Sequence, residues 1–244
     1  MRNDDDPRVA LARATAAGRA GAIWDFIRSF AEDWARPLAP EDGCPEGELR
    51  ERADRLGLAL PAAVHEAYAL FGRRDDLVRV QDRLLRPAQW EYDPETEVLI
   101  VRVENQYAVE WGVSLAGHGD PSDPPVFFRA TDEETWLPFL DRFSLACAEM
   151  VLSESLFAPG AALDNRPLDP VTTARVAELC TPLPLPGYPV WAVPEGEPVR
   201  WFHRDGVLLR ADGSDWLWAR GRDAAALAAA RADLPGEWLL EGVH

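Results

Sequence analysis

The stretch from Leu56 to Gly72 reads L-G-L-A-L-P-A-A-V-H-E-A-Y-A-L-F-G, and it decides how the middle of the chain folds. Pro61 predicts the start of a helix, because proline is tolerated at a first helical position, where its missing N–H would have no partner. Gly72 predicts the end of that helix. Apolar residues recur between them at helical spacing, so we expect one helix face to be buried. These residues are Val64, Ala67, Tyr68 and Phe71.

Two more helices are predicted upstream of this stretch. The first has apolar residues at three- and four-residue steps, and Pro37 and Pro40 end it. Its apolar residues are Ile23, Phe26, Ile27, Phe30 and Trp34. The second is predicted from Pro45 to Leu56, and Gly57 suits its C-terminal cap. Residues 1–18 are charged and rich in alanine, so we expect a flexible N-terminus.

Downstream of residue 83 the pattern changes to strands. Residues 98–103 are apolar except for Arg102 and mostly β-branched, and residues 107–113 alternate with a period of two. The link Asn105-Gln106 predicts a tight antiparallel hairpin, because asparagine accepts the positive φ of such turns. Residues 126–128 form a further predicted strand.

A last helix of this region is predicted between Trp136 and Val151, where apolar residues return at helical spacing. The residues Thr131 to Glu134 resemble a capping box at its start. Pro138 is expected to shift the helix start or to split the segment.

The C-terminal part contains many prolines between residues 182 and 198, which predict a stiff, extended connection. Beyond it, Asp205-Gly206 predicts a hairpin, followed by a strand at 216–218 and a helix at 224–232. The predicted organisation is therefore a flexible segment 1–18, a domain 19–158 and an extension 159–244.

Charge and composition narrow the classes of function. Residues 61–157 hold 18 acidic residues and 8 arginines, so they contribute −10 of the chain's net charge of −17. Such a surface repels nucleic acid and attracts basic proteins, although an acidic excess also simply keeps a protein soluble. The sequence contains no apolar run of membrane-spanning length and begins without a signal-peptide pattern. We therefore expect a cytoplasmic protein with reduced, structural cysteines.

The ordered set of motifs between residues 23 and 157 resembles the SUKH superfamily, which includes the Smi/Knr-type proteins. Its marks are a leading amphipathic helix, a Leu-Gly…Leu-Pro helix that ends in glycine, a strand pair around Glu-Asn-Gln…Trp, and a Pro-Pro-Val segment. In this chain they are Leu56, Gly57, Leu60, Pro61, Tyr68, Gly72, Glu104, Asn105, Gln106, Trp111, Pro124, Pro125 and Val126.

The resemblance implies an α+β fold, in which helices flank a twisted, mainly antiparallel sheet; residues 159–244 would add a small β-rich extension. It also implies an immunity protein of a polymorphic toxin system, which binds a cognate toxin, often a nuclease, and blocks it. The alternatives are a non-catalytic regulator or scaffold on the same fold and a carboxylate-dependent hydrolase. The sequence leaves the oligomeric state open.

A surface that binds a basic toxin would be acidic, because complementary charge raises the association rate and the specificity. Acidic residues of predicted loops and edges, with two aromatic residues among them as anchors, are the candidate partner-binding set. These are Asp75, Asp76, Trp90, Glu91, Tyr92, Asp93, Glu95, Glu97, Asp132, Glu133 and Glu134. The motif residues around Glu104 and Trp111 are either a binding patch or, as we favour, structural.

The sequence contains no recognisable catalytic motif. The four histidines are scattered, and no phosphate-binding loop, nucleophile elbow or metal-spaced Cys/His set is present. His118 with Asp120 and Asp123 is a metal-site alternative, but the surrounding glycines and prolines are typical of an ordinary turn. We therefore expect no catalytic residues, no metal and no cofactor.

Overall fold

A computed structural model describes residues 11–12, 15–16 and 20–239. The expected flexible segment 1–18 lies largely outside the described residues. From Ala20 onward, the first part of the described chain forms four helices: α1 (Ala20–Trp34), α2 (Glu46–Leu56), α3 (Ala62–Phe71) and the short α4 (Asp75–Val78). The three helices predicted here are confirmed, with two changes: Pro45 and Pro61 are the N-caps of α2 and α3 rather than their first residues. Helix α4 was not predicted.

The end of α2 shows why glycine follows it. Gly57 adopts a left-handed conformation with φ 69°, and its N–H donates to the Ala53 and Asp54 carbonyls. A side chain would be strained at this φ, so the predicted glycine cap is confirmed.

The first sheet has six antiparallel strands: β1 (Arg83–Leu84), β2 (Glu91–Asp93), β3 (Val98–Val103), β4 (Val109–Ser114), β5 (Val126–Ala130) and β6 (Leu137–Leu140). Strands β3 to β6 lie side by side in chain order. Strands β1 and β2 pair with the same edge of β3 at different positions along it. One face of this sheet packs on helix α5 (Phe143–Leu156). We call it the inner face and the opposite one the outer face.

Two local predictions in this region are wrong. The connection between β3 and β4 spans residues 104–108, and the positive φ lies at Tyr107 (62°) rather than at Asn105. The segment Thr131–Glu134 is not a helix cap: β6 follows it, and α5 begins only at Phe143. Pro138 lies in β6, so the apolar residues between Trp136 and Val151 belong first to a short strand and then to helix α5.

The C-terminal module (residues 162–239) contains a second antiparallel sheet in the order β7-β11-β10-β9-β8. Its strands are β7 (Ala162–Pro167), β8 (Thr181–Pro182), β9 (Arg200–Arg204), β10 (Val207–Asp212) and β11 (Trp216–Gly221). Helices α6 (Pro170–Leu179) and α7 (Ala224–Asp233) accompany it. The Asp205-Gly206 hairpin is confirmed, whereas β7, β8 and α6 were not predicted from the sequence.

Helix α5 lies at the centre of the molecule. All of its residues from Phe143 to Leu156 are buried, because α1, α3 and α4 contact it and the first sheet covers it. The main hydrophobic core continues from this helix into the C-terminal module through Tyr188, Trp201 and Leu208. A smaller core lies within the module, around Leu209, Leu217 and Leu227.

The predicted fold class is confirmed: the chain is α+β, with helices packed against antiparallel sheets. Within the described ranges, no helix combines the length and the apolar character needed to cross a lipid bilayer.

Candidate functional site

The outer face of the first sheet presents charged side chains from three strands. Residues paired across antiparallel strands project to the same face. Glu110 on β4 pairs with Arg129 on β5, and the Arg129 Nε donates to Glu110 at 2.6 Å. The Arg129 Nη1 lies 3.4 Å from the Asp93 carboxylate of β2. Arg129 therefore compensates two carboxylates of this face.

Trp136 lies over the same face, and Gly112 makes its position possible. A Cβ atom at Gly112 would overlap with Val98 Cγ1 and would lie 3.2 Å from the Trp136 ring. The Arg129 guanidinium stacks on that ring, with its carbon 4.4 Å from the centroid. A half-buried tryptophan and an arginine thus form the centre of the outer face.

Six acidic residues of the first sheet and its loops are exposed to solvent, and we call them the exposed acids. They lie on two segments of the chain. They are Glu91, Glu95, Glu97, Asp132, Glu133 and Glu134. Among the residues that the structure describes, they have no arginine or histidine within ion-pair distance. Like charges gathered without compensation favour a cationic partner.

The exposed acids form two groups. Glu91, Glu95 and Glu97 belong to β2 and to its hairpin with β3. Residues 132–134 follow β5 and begin beside the opposite hairpin, where the Thr131 N–H donates to the Ala108 carbonyl at 3.0 Å. Trp136, in the same loop, lies against Gly112 in the middle of β4. The aromatic centre is therefore flanked by acids along the strand direction.

Two of the sequence-predicted partner-binding residues, Asp75 and Asp76, lie apart from this arrangement and are compensated by arginines. Asp75 forms ion pairs with Arg86 and Arg79, at 2.5 and 3.6 Å. Asp76 accepts from Arg74 Nε at 2.6 Å. Both acids lie on α4, which packs against α5 rather than on the outer face.

The prediction that Trp90 anchors a partner is wrong. Trp90 has no exposed surface, and its Nε1–H donates to the Tyr68 hydroxyl at 2.8 Å. The two rings meet edge to face, with centroids 4.8 Å apart. Trp90 is therefore a core residue, whereas the neighbouring Tyr92 is half-buried in β2 and keeps some accessible surface.

The motif residues around Glu104 have structural roles. The Glu104 carboxylate accepts from the Gln106 and Ala108 backbone N–H groups and so closes the β3–β4 turn. Trp111 is 4% exposed and lies in the main core. Asn105 and Gln106 are exposed in the turn.

The Pro124-Pro125 segment also has a structural role. The Pro124 carbonyl accepts from the Phe143 N–H, and the Pro125 carbonyl accepts from the Ser114 N–H. These bonds hold the segment against the start of α5 and the end of β4.

A buried charge cluster that was not predicted from the sequence lies on the inner face. Arg102 is 6% exposed and donates to Glu149 and Asp82, at 2.8 Å each, while Glu154 lies 3.5 Å away. A β-bulge between Ile100 and Arg102 turns the arginine inward, where its guanidinium covers the Trp111 ring. Simple alternation would place Arg102 on the face of Ile100.

Glu154 is the carboxylate of this cluster whose ionisation is most perturbed. Burial raises its pKa to about 7, although Arg102 and the Gln81 and Asp82 backbone N–H groups act against that rise. Its two oxygens accept from the N–H groups of Val80, Gln81 and Asp82 at 2.6–3.3 Å. Glu154 thereby ties the loop before β1 to helix α5. Burial also raises the pKa of Asp82, against the opposing effect of Arg102.

The metal-site alternative at His118 has no geometric support. Asp120 accepts from the N–H and hydroxyl of Ser122, and Asp123 accepts from the N–H and hydroxyl of Ser144. Both carboxylates therefore organise their own loop and the start of α5. In the described part of the chain, no group of three His, Cys, Asp or Glu side chains is arranged to hold a metal ion.

The sequence matches no protein-family model and no curated protein. The resemblance to the SUKH superfamily therefore rests on the motif residues and their order along the chain.

Proposed function

We propose that the protein binds a basic polypeptide through its exposed acids, as an immunity protein of the SUKH type that occludes a cognate toxin in the cytoplasm. The observation that supports this proposal is the position of the acids, which flank Trp136 on the outer face without compensating arginines in the described structure. Their carboxylates are already solvated at the surface, so a partner does not have to break internal ion pairs to reach them.

Charge complementarity gives this arrangement a physical advantage. Opposite potentials steer two proteins together over roughly 8–10 Å at cellular salt. A nuclease toxin needs a basic surface to hold phosphate groups, so an acidic face suits it as a target. Trp136 lies among the acids and is half-buried, whereas Tyr92 pairs with Leu99 and so projects to the inner face. Aromatic residues such as Trp136 supply much of the energy in protein interfaces.

Co-expression with the protein encoded next to this chain's gene tests the proposal. We expect growth to be rescued and the two proteins to elute as one complex in gel filtration. Failure of both would contradict the proposed function. The affinity should fall by about 10-fold or more between 50 and 300 mM salt, because exposed charges are screened.

A matched pair of triple variants locates the interface. The test variant replaces Glu91, Glu95 and Glu97 by glutamine. The control is Glu32→Gln, Asp33→Asn, Asp54→Asn, which removes three exposed acids from helices α1 and α2. We expect only the test variant to lose affinity, by roughly 10-fold, because each exposed ion pair contributes up to about 1 kcal/mol. Equal losses in both variants would contradict the placement of the interface on the outer face.

A further inference from the structure

A cleft lies between the first sheet, helix α5 and the C-terminal module, and the proposed protein-binding face does not use it. Its volume is about 440 Å³, within the range of small-molecule sites in proteins. Arg102 and Glu149 line it from one side, and Tyr188, Arg210 and Asp212 line it from the C-terminal module. Junctions between two structural units are common places for ligand sites.

The charges that line this cleft do not balance. Two arginines face five carboxyl groups, which gives a formal charge of −3 when all five are ionised, and an excess of negative charge remains when Glu154, whose pKa is about 7, is protonated. The carboxylates are Asp82, Glu104, Glu149, Glu154 and Asp212. Uncompensated charge is costly in a partly buried site, so a cation in the cleft would be stabilised.

Both arginines are already committed to protein acceptors. Arg102 donates to Glu149 and Asp82. Arg210 donates to Asp212 at 2.8 Å and to the Ser153 hydroxyl at 3.2 Å. The Nη atoms of both guanidinium groups therefore already bind protein acceptors, and the excess negative charge of the lining favours a cation.

Aromatic side chains complete the walls and favour an organic cation over a metal ion. Trp111, Phe139 and Tyr188 lie in the interior, and Trp218 donates its Nε1–H to Asp212 at 2.9 Å. Trp191 lines the cleft while 42% of it remains exposed, so it stands at the mouth. Aromatic faces attract ammonium groups, most strongly when these are desolvated.

Two buried donors of the lining indicate a second feature of the ligand. Trp111 Nε1 and Arg102 Nε have no hydrogen-bond acceptor among the described residues, and these side chains are 4% and 6% exposed. Buried donors of native proteins almost always have an acceptor, which a ligand oxygen would supply.

We propose that this cleft binds a small organic cation, namely a protonated amine that also has a hydroxyl or carbonyl oxygen. The ammonium group binds among the carboxylates and aromatic faces, and the oxygen accepts from Trp111 and Arg102. This site is independent of the outer face, so its failure would leave the proposed toxin binding untouched.

Isothermal titration calorimetry with three probes tests both features. Glucosamine is a cation with hydroxyl groups, glucose has nearly the same shape without the charge, and putrescine is a cation without oxygen. We expect glucosamine to bind about 10-fold or more tightly than glucose, because hydrogen bonds to charged groups are stronger than neutral ones. Putrescine should bind more weakly than glucosamine. No binding of glucosamine, or equal binding of glucose, would overturn the proposal.

Two tryptophan variants locate the binding in the cleft. Trp191→Ala should weaken glucosamine binding by about 5- to 30-fold. Trp216→Ala is the matched control, because Trp216 is 39% exposed and lies outside the cleft. Equal effects of both variants would overturn the proposal. Asp212→Asn, checked for folding by circular dichroism, provides a second variant that should also weaken binding.

Discussion

The acids around Arg102 and the exposed acids of the outer face lie on opposite sides of one sheet and differ in nearly every physical respect. Asp82, Glu149 and Glu154 are largely shielded from solvent and share one guanidinium. The exposed acids are solvated and lie beyond ion-pair distance of any described arginine. A single net charge of −17 therefore includes acids that hold the fold together and acids that are available to a partner.

This difference predicts opposite responses to mutation. Removing a buried charge leaves its partners uncompensated in a medium of low dielectric constant, so stability falls. Removing a solvated charge changes little in the folded chain but alters the potential that a partner encounters.

Arg102→Met is expected to have the largest effect on stability. The substitution leaves three carboxylates without their common cation, and we expect the free energy of unfolding to fall by about 3–5 kcal/mol. Urea denaturation measures it. Arg50→Met is the control, since Arg50 forms an exposed pair with Glu46 within α2 and should change stability by less than about 1 kcal/mol. A similar small loss in Arg102→Met would contradict the role of the buried cluster.

The pH dependence of stability is the next largest effect. The pKa of Glu154 is about 7 in the folded chain, above its ordinary value of 4.5, so the folded state holds this proton more tightly. The tighter binding of this proton stabilises the folded state fully below pH 4.5, and that stabilisation is lost as pH rises through 7. Relative to that of Glu154→Gln, the free energy of unfolding of the wild type should fall by up to about 3 kcal/mol between pH 4.5 and pH values above 7.

Denaturation of the two proteins between pH 4.5 and 8 measures the effect. A difference between Glu154→Gln and the wild type that stays flat across this range would show that burial does not perturb this carboxyl.

Gly112→Ala tests whether packing holds the centre of the outer face. The added Cβ would overlap with Val98 and press on Trp136, and overpacking of this kind costs about 1–3 kcal/mol. Thermal denaturation and the fluorescence of Trp136, isolated by comparison with Trp136→Phe, measure the response. Unchanged stability and fluorescence would show that Trp136 does not rest on Gly112.

The sequence predicted the elements whose residues specify them locally. Helices α1 and α3 followed from apolar spacing between prolines and glycines, and the Asp205-Gly206 hairpin followed from its turn residues. The exposed acids were predicted for the same reason, since charged residues of turns and edges remain in solvent.

The sequence could not predict the features that depend on distant contacts. Arg102 would share the outer face of Ile100 if the strand were regular, and only the β-bulge turns it toward Glu149, 47 residues away. Trp90 was assigned to the surface because of its acidic neighbours, yet Tyr68, 22 residues earlier, binds its indole in the core. The cleft arises from contacts between α5 and the C-terminal module, which no local pattern specifies.

The smallest effect on stability is expected for the variant Glu91→Gln, Glu95→Gln, Glu97→Gln. These side chains are exposed, so the free energy of unfolding should stay within about 0.5 kcal/mol of the wild type. Urea denaturation checks this. A loss above about 1.5 kcal/mol would mean that these acids support the fold and would remove the contrast with the buried cluster.

The affinity of that same variant for the basic partner tests the central claim most directly. Titration calorimetry at low salt, with the partner identified by co-expression, gives the dissociation constant of the wild type, the outer-face variant and the helix-side control. We predict a roughly 10-fold weaker complex for the outer-face variant alone, with its stability unchanged. Unchanged affinity in that variant would contradict the assignment of the exposed acids to partner binding.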